Sequence, residues 1–304
     1  MNWEDIVTEP DRLDRWLHQR LAGFSMARVR ELLAAGRVRV NDLPAKKGLA
    51  LRVEDVVVVE GLPQGPLPPA DEGVELAVVL EDARVAVVDK PAGMNTQPLS
   101  PEERGTLLNA ALGRWPDLRA AGGNPLEPGL IHRLDTKTTG LVLFAKDPEA
   151  FAFLKHELRM RRMEKHYRAL VWGRPQPEEG EIKVHLAHHP TDPGLMAPAV
   201  AGVKLRGEPR PALTRYRVLE NHQGVSLLEL RLVTGVMHQL RVHLAFIGHP
   251  VLGDDRYGDR PEPESPAYAL QAARLAFSHP DDRGRVEARV KRELVLSDRN
   301  RWRA

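Results

Sequence analysis

Residues 61–73 read GLPQGPLPPADEG, four prolines and three glycines with no apolar periodicity. No helix or central strand runs through such a stretch, because proline lacks an amide donor and glycine has no side chain to pack. The chain is therefore expected to fold as two parts joined by a stiff linker. We place these as a module over 1–60, a linker over 61–73 and a larger domain over 74–304. A length of 304 residues suits this division, being about twice that of a typical domain.

In the module, Leu13, Trp16, Leu17 and Leu21 recur at helical spacing. Ser25 is a good N-cap for a second helix that turns Val29, Leu32 and Leu33 inward, and Gly36 ends it. RVRV at 37–40, a turn at Asn41-Asp42 and VEDVVVV at 53–59 read as short strands. The expected order is two helices followed by a small sheet. So short a unit has a modest core, which suits docking better than catalysis.

Beyond the linker, ELAVVL (75–80), RVAVVD (84–89) and LVLFA (141–145) read as strands, and 215–233 as a hairpin turning at Asn221 to Gly224. Helices are expected over 147–161 and 237–247. Strands and helices mix without regular alternation, so the class is α+β rather than doubly wound. No glycine-rich phosphate loop occurs. Cysteine is absent, which excludes disulfides, thiolate nucleophiles and thiolate-bound zinc. No stretch approaches the roughly 20 apolar residues of a membrane span, and the N-terminus lacks a signal-peptide core, so a cytoplasmic location is expected.

Residues 129–147, GLIHRLDTKTTGLVLFAKD, press polar residues between two apolar segments. Leu130-Ile131 and Leu141-Val142-Leu143 need a core, so His132, Arg133, Asp135, Thr138 and Thr139 lie on a short segment emerging from it. Asp135 beside Arg133 reads as an ionised carboxylate held by an opposite charge, suited to a nucleophile; a structural ion pair at a helix cap has the same composition. Lys155, Arg159, Arg161, Arg162, Lys165 and Arg168 crowd one segment with only Glu157 and Glu164 against them. Such a run suits a phosphate backbone, while a charge run taken alone is more often a solvated helix face. His238, His243 and His249 lack the helical spacing of zinc hydrolases, and no metal site is expected. His188 and His189, before Pro190, read as loop residues.

The module resembles the RNA-binding domain named after ribosomal small-subunit protein four. The residues that carry this are Arg12-Leu13-Asp14, Ser25 to Arg28 with Leu33, and Gly36-Arg37-Val38 with Val40-Asn41. The resemblance implies RNA contacts from Arg28, Arg30 and Arg37. In the larger part, His132-Arg133-Leu134-Asp135 with Thr138 and Gly140-Leu141 resembles the catalytic motif of RluA-type pseudouridine synthases. Four further blocks follow that family's order. They are Asp89 to Gly93, Lys165 and Tyr167 with Ala169-Leu170-Val171 and Gly173, Thr234-Gly235 with His238 to His243, and Gly248-His249-Pro250 with Gly253-Asp254 and Tyr257-Gly258.

The resemblance implies a pseudouridine synthase fold, a mixed and largely antiparallel sheet with flanking helices and a central RNA cleft. It implies an isomerase that flips a uridine from structured RNA, attacks it with Asp135 and rejoins the base through carbon five. Arg133 would hold the strand open, Tyr167 would stack on the base and manage a proton, and Arg241 would pair with Asp135. His132 and Lys165 join the implied RNA contacts. Neither cofactor nor metal is implied, and no obligate protein partner. Large-subunit ribosomal RNA is the leading target and transfer RNA the second. The sequence departs from the pattern at Met26, Asp42, Glu127, Thr139, Val236 and Gln271, of which the lost arginine at Val236 bears most on phosphate contact. The alternative reading is a noncatalytic RNA-binding or ribosome-assembly factor that keeps the fold.

Overall fold

The computed structural model describes residues 3–7, 9–21, 24, 26–61, 67–122, 126–192, 194–258 and 268–297. Ser25, the expected helix cap, and residues 62–66 of the linker lie outside these. The described residues group into two compact units, one drawn from 1–76, 95–131 and 144–152, the other from 77–94, 132–143 and the residues from 153 onward.

In the first unit, helices Leu13–Arg20 and Met26–Ala34 bury Leu13, Trp16, Leu17, Val29, Leu32 and Leu33. Full burial of each such side chain contributes about 1.5–3 kcal/mol. Gly36 closes the second helix at φ +69°, where a side chain would be strained. A four-stranded sheet runs in the order Trp3–Ile6, Val56–Val59, Val38–Val40, Leu43–Pro44. The expected order of two helices and then a sheet needs correcting, because Trp3–Ile6 precedes the helices and pairs with Val56–Val59. Trp3 packs edge-on against Trp16 at 5.9 Å, so this strand completes the core. The same unit holds helix Leu107–Arg114, started by a capping box between Thr106 and Asn109. Pro69 and Asp71 are hydrogen-bonded to Asn109, so the end of the proline-rich stretch is fixed in place.

The second unit is built on a mixed sheet in the order Glu179–Ile182, Thr214–His222, Val225–Leu232, Glu164–Trp172, Leu270–Ser278, Thr139–Ala145, Val85–Lys90, Ala77–Glu81. Arg285–Arg289 pairs with the end of Leu270–Ser278. Leu270–Ser278 runs antiparallel to Glu164–Trp172 and parallel to Thr139–Ala145, the latter through Gln271 opposite Thr139 and Ala272 opposite Gly140. Helices Pro148–Arg159 and Gln239–Phe246 stand close to the expected spans. The α+β class and the large mixed sheet are those expected from the sequence. A small sheet of Met196–Pro198, Leu186–His188 and Arg206–Arg210 takes up His188, which is thus a strand residue and not a loop residue. No helix among the described residues is long and apolar enough to cross a membrane.

Candidate active site

Asp135 lies in a tight turn, where the Thr138 amide donates to its carbonyl at 3.0 Å, with Leu134 and Thr138 buried on either side. The turn is gripped from the end of strand Val85–Lys90. Lys90 has no exposed surface, and its Nζ donates to the carbonyls of Pro91 (3.0 Å), Met94 (2.8 Å) and Thr136 (3.0 Å). Gly93, at φ +80°, donates to the same Thr136 carbonyl at 2.9 Å. Three carbonyl acceptors need three N–H donors, so Lys90 sits there as the ammonium. Burial pulls its pKa down to about 8, against the opposing charges of Asp135 and Asp89.

Arg241, on helix Gln239–Phe246, meets Asp135 from the far side. Its Nε and Nη2 donate to the two oxygens of Asp254 at 2.9 and 2.8 Å, and its Nη1 donates to Oδ2 of Asp135 at 3.2 Å. The guanidinium lies against the rings of Tyr257 and Tyr268, with centroids 4.9 and 5.2 Å away. Burial opposes its charge, but the Asp254 carboxylate and the surrounding anions hold its pKa above the usual arginine value. Oδ1 of Asp135 accepts no hydrogen bond among the described residues. One oxygen of the carboxylate is anchored and the other is free, the arrangement a carboxylate nucleophile needs.

Tyr167 lies on Glu164–Trp172, where the pairing with Leu270–Ser278 slips by one residue between His166 and Tyr167. Such an irregularity re-aims side chains beside it. The Tyr167 ring is buried, and burial followed by the charge of Asp135 pushes the phenol pKa up, so the hydroxyl keeps its proton throughout the neutral range. Lys165 on the same strand makes no hydrogen bond among the described residues, and burial lowers its pKa to about 8. His132 has a buried Nε2 without a partner among the described residues. Burial, then the charges of Lys165 and Lys155, press its pKa to about 3, so the ring is neutral.

One expectation needs correcting. Arg133 is exposed and makes no ion pair with Asp135; Arg241, far along the chain and buried, takes that place, and a desolvated guanidinium interacts more strongly than one in water. The basic run is shared between a helix and a strand, with Arg159, Arg161 and Arg162 exposed. Arg162 pairs with Glu157, Arg168 pairs with Glu293, and Lys165 is half-buried on its strand, because a helix and a strand divide the segment. Arg28, Arg30 and Arg37 are exposed in the first unit, with Arg28 paired to Glu31 and Arg37 bonded to the Gly61 carbonyl. His243 is bonded to Thr214 and Val184, and His249 to Trp172. Val236 packs against the apolar cluster of Leu186, Met196, Ala212 and Val242. Gln271 holds the backbone of Arg292 and Leu294.

Sequence reasoning gave no role to Lys90, Asp254, Tyr257 or Tyr268. The first three fall in the motif blocks quoted above, which was the only sign of them; Tyr268 carried none.

Comparison with known proteins agrees with this architecture. The chain matches the RNA pseudouridylate synthase family over residues 84–246 and the S4 domain over residues 11–57. An uncharacterised RNA pseudouridine synthase of Chloroflexus aurantiacus is 40% identical over 283 residues, covering 91% of this chain and 86% of that protein. The ribosomal large subunit pseudouridine synthase D of Nitrosomonas europaea is 35% identical over 288 residues, covering 90% of this chain and 80% of that one. The solved structure of human RNA pseudouridylate synthase domain containing 1 superposes with a TM-score of 0.61 at 26% identity, covering 76% of this chain and 89% of the other. Fold and matches together define an RNA-modifying isomerase with an S4 RNA-binding domain. The chain belongs to the RNA pseudouridylate synthase family.

Proposed function

We propose that this protein isomerises particular uridines of large-subunit ribosomal RNA, with Asp135 as nucleophile. The observation that carries the reading is the divided Asp135 carboxylate, Oδ2 held by Arg241 and Oδ1 free. The name of the Nitrosomonas relative supports the choice of RNA, with transfer RNA as the second candidate. The working division is the one read from the sequence, a docking module over 1–60, a linker over 61–73 and a catalytic domain over 74–304, acting in the cytoplasm.

A uridine stacked in a helix offers its glycosidic bond to no side chain, so the target is first flipped out. Arg133, exposed beside the turn, occupies or holds open the vacated place. Asp135 Oδ1 then bonds to the anomeric carbon and the bond to N1 breaks, leaving uracil as an anion. The base turns, C5 bonds to the anomeric carbon, and the bond to Asp135 breaks. C5 loses its proton and N1 gains one, so the sum is an isomerisation that consumes nothing. Tyr167 keeps its phenol proton and acts as a stacking ring and hydrogen-bond donor rather than as a standing base. His132 and Lys165 face the phosphates of the flipped strand, while Arg28, Arg30 and Arg37 grip RNA outside the catalytic domain.

The test is deletion of the gene, mapping of pseudouridines in ribosomal and transfer RNA by carbodiimide labelling and primer extension, and complementation with wild type and Asp135→Asn. Loss of a few marks in large-subunit RNA, restored by wild type alone, is expected. Marks that vanish from transfer RNA instead would move the target. Full restoration by Asp135→Asn would remove the nucleophile assignment, and loss of no mark would favour a noncatalytic RNA-binding factor.

A further inference from the structure

His238 stands directly before helix Gln239–Phe246 with φ +55°, a left-handed conformation that few side chains adopt. Nothing in the reaction as proposed above uses this residue, although its imidazole is aimed at the nucleophile. Its Nδ1 lies 2.7 Å from the Tyr257 hydroxyl, and its Nε2 lies 3.8 Å from Oδ2 of Asp135, the oxygen that Arg241 already holds.

The protons of this chain can be assigned from its far end. The Met196 amide can only donate, and it donates to the Tyr257 oxygen at 2.9 Å. Burial raises the Tyr257 pKa, so the phenol keeps its own proton. Among the described residues the only acceptor for that proton is Nδ1 of His238. Burial also lowers the His238 pKa, with the charge of Asp135 opposing, so the ring carries a single proton. With Nδ1 accepting, that proton is on Nε2 and faces Asp135. At 3.8 Å the N–H is too distant for a hydrogen bond, and such contacts in free enzymes commonly shorten when substrate fills the site.

We infer that His238 is a positioning residue for Asp135, its Nε2–H held toward Oδ2 by the Tyr257 hydroxyl so that Oδ1 alone is presented to the sugar. The inference rests on Asp135 being the nucleophile. When the bond between Asp135 and the anomeric carbon breaks, negative charge returns to the carboxylate, and two donors converging on Oδ2 stabilise it as it forms. Arg241 supplies the fixed charge; His238 supplies a second dipole from another direction without adding a second positive charge. Tyr257 thus has two separable tasks, its ring lying against Arg241 and its hydroxyl fixing the imidazole tautomer.

The test measures tritium release from total RNA labelled at uridine C5 and isolated from a strain lacking the gene, for full-length wild type, Asp135→Asn, His238→Phe, His238→Gln, Tyr257→Phe and His238→Phe/Tyr257→Phe. His238→Phe removes the donor and is expected to lower kcat at least about tenfold with KM little changed. His238→Gln places an amide N–H near the position of Nε2 and restores most of that loss. Tyr257→Phe keeps the ring on Arg241 and lowers kcat by a smaller factor, and the double variant is no slower than His238→Phe because the hydroxyl acts only through the imidazole. An unchanged kcat in His238→Phe, no rescue in a folded His238→Gln, or losses that multiply in the double variant would each overturn the role. If His238→Phe does not fold, wild-type kcat in Tyr257→Phe overturns it. Asp135→Asn serves as the separate control: turnover there defeats the nucleophile reading whatever the His238 variants show.

Discussion

Arg241 grips Asp254 through two parallel hydrogen bonds of 2.9 and 2.8 Å, both partners almost wholly buried. The pair fixes the plane of the guanidinium, and with it the direction from which Nη1 reaches Asp135. Asp254→Asn keeps the shape and removes the charge, so Arg241 is free to tilt toward Asp135. We expect kcat to fall by about 10- to 100-fold with RNA affinity little changed. Asp254→Ala strands a buried cation and should destabilise the protein by about 3–5 kcal/mol in urea unfolding. Wild-type kcat in Asp254→Asn would show that the orientation of Arg241 comes from the tyrosine rings instead.

Arg28 and Arg37 are exposed on the first unit and are not among the residues of the site described in the second. Arg28→Ala with Arg37→Ala should weaken RNA binding and flatten its dependence on salt, by up to about two phosphate contacts' worth of slope. Turnover of saturating RNA should remain near wild type. Filter binding across a salt series checks this, and an unchanged slope would remove the docking role.

Lys165 is half-buried with no hydrogen-bond partner among the described residues, and desolvation lowers its pKa to about 8 in the folded protein against about 10.5 unfolded. Below pH 8 both states carry the proton and the folded state bears the full cost of burying it. Between pH 8 and about 10.5 the folded state releases the proton while the unfolded state keeps it, so stability on this account rises with pH. Lys165→Met should therefore be the more stable protein at pH 7, by up to about 3 kcal/mol, and its advantage should shrink as pH passes 8. Denaturant unfolding at pH 7 and pH 9.5 measures the difference. The same variant should bind RNA less tightly.

Gly140 has φ +109°, and a Cβ there would lie 2.3 Å from the Ala272 carbonyl oxygen and 2.7 Å from its nitrogen. All three nearest atoms are backbone of Ala272, which leaves no flexible side chain to give way. Gly140→Ala should cost about 3 kcal/mol or more and separate the two strands at their parallel contact, visible as a lowered Tm and loss of turnover.

Local patterns were the most legible part of the chain. VAVVD and LVLFA announced buried strands because their apolar runs are continuous, and the hairpin at Thr214–His222 and Val225–Leu232 was marked by its turn residues. Asp135 was legible because a charge between two apolar segments has to emerge at the core's edge. Its true partner was not legible from spacing alone. Asp135 and Arg241 meet only through tertiary packing, so spacing pointed to neighbouring Arg133 and the family resemblance alone pointed to Arg241. Lys90 was hidden for the same reason, since its partners are backbone carbonyls and these leave no trace in residue identity. Trp3–Ile6 was missed because its pairing residues, Val56–Val59, lie across both helices.

Leu270–Ser278 sits between two strands that were made long before it, Thr139–Ala145 and Glu164–Trp172. Asp135 leads into the first of these and Tyr167 stands on the second. In chain order both flanks come before the strand that joins them, so this part of the sheet closes only when a later segment is inserted between two earlier ones. It acts as a keystone: without Leu270–Ser278, Asp135 and Tyr167 would belong to separate pieces of sheet.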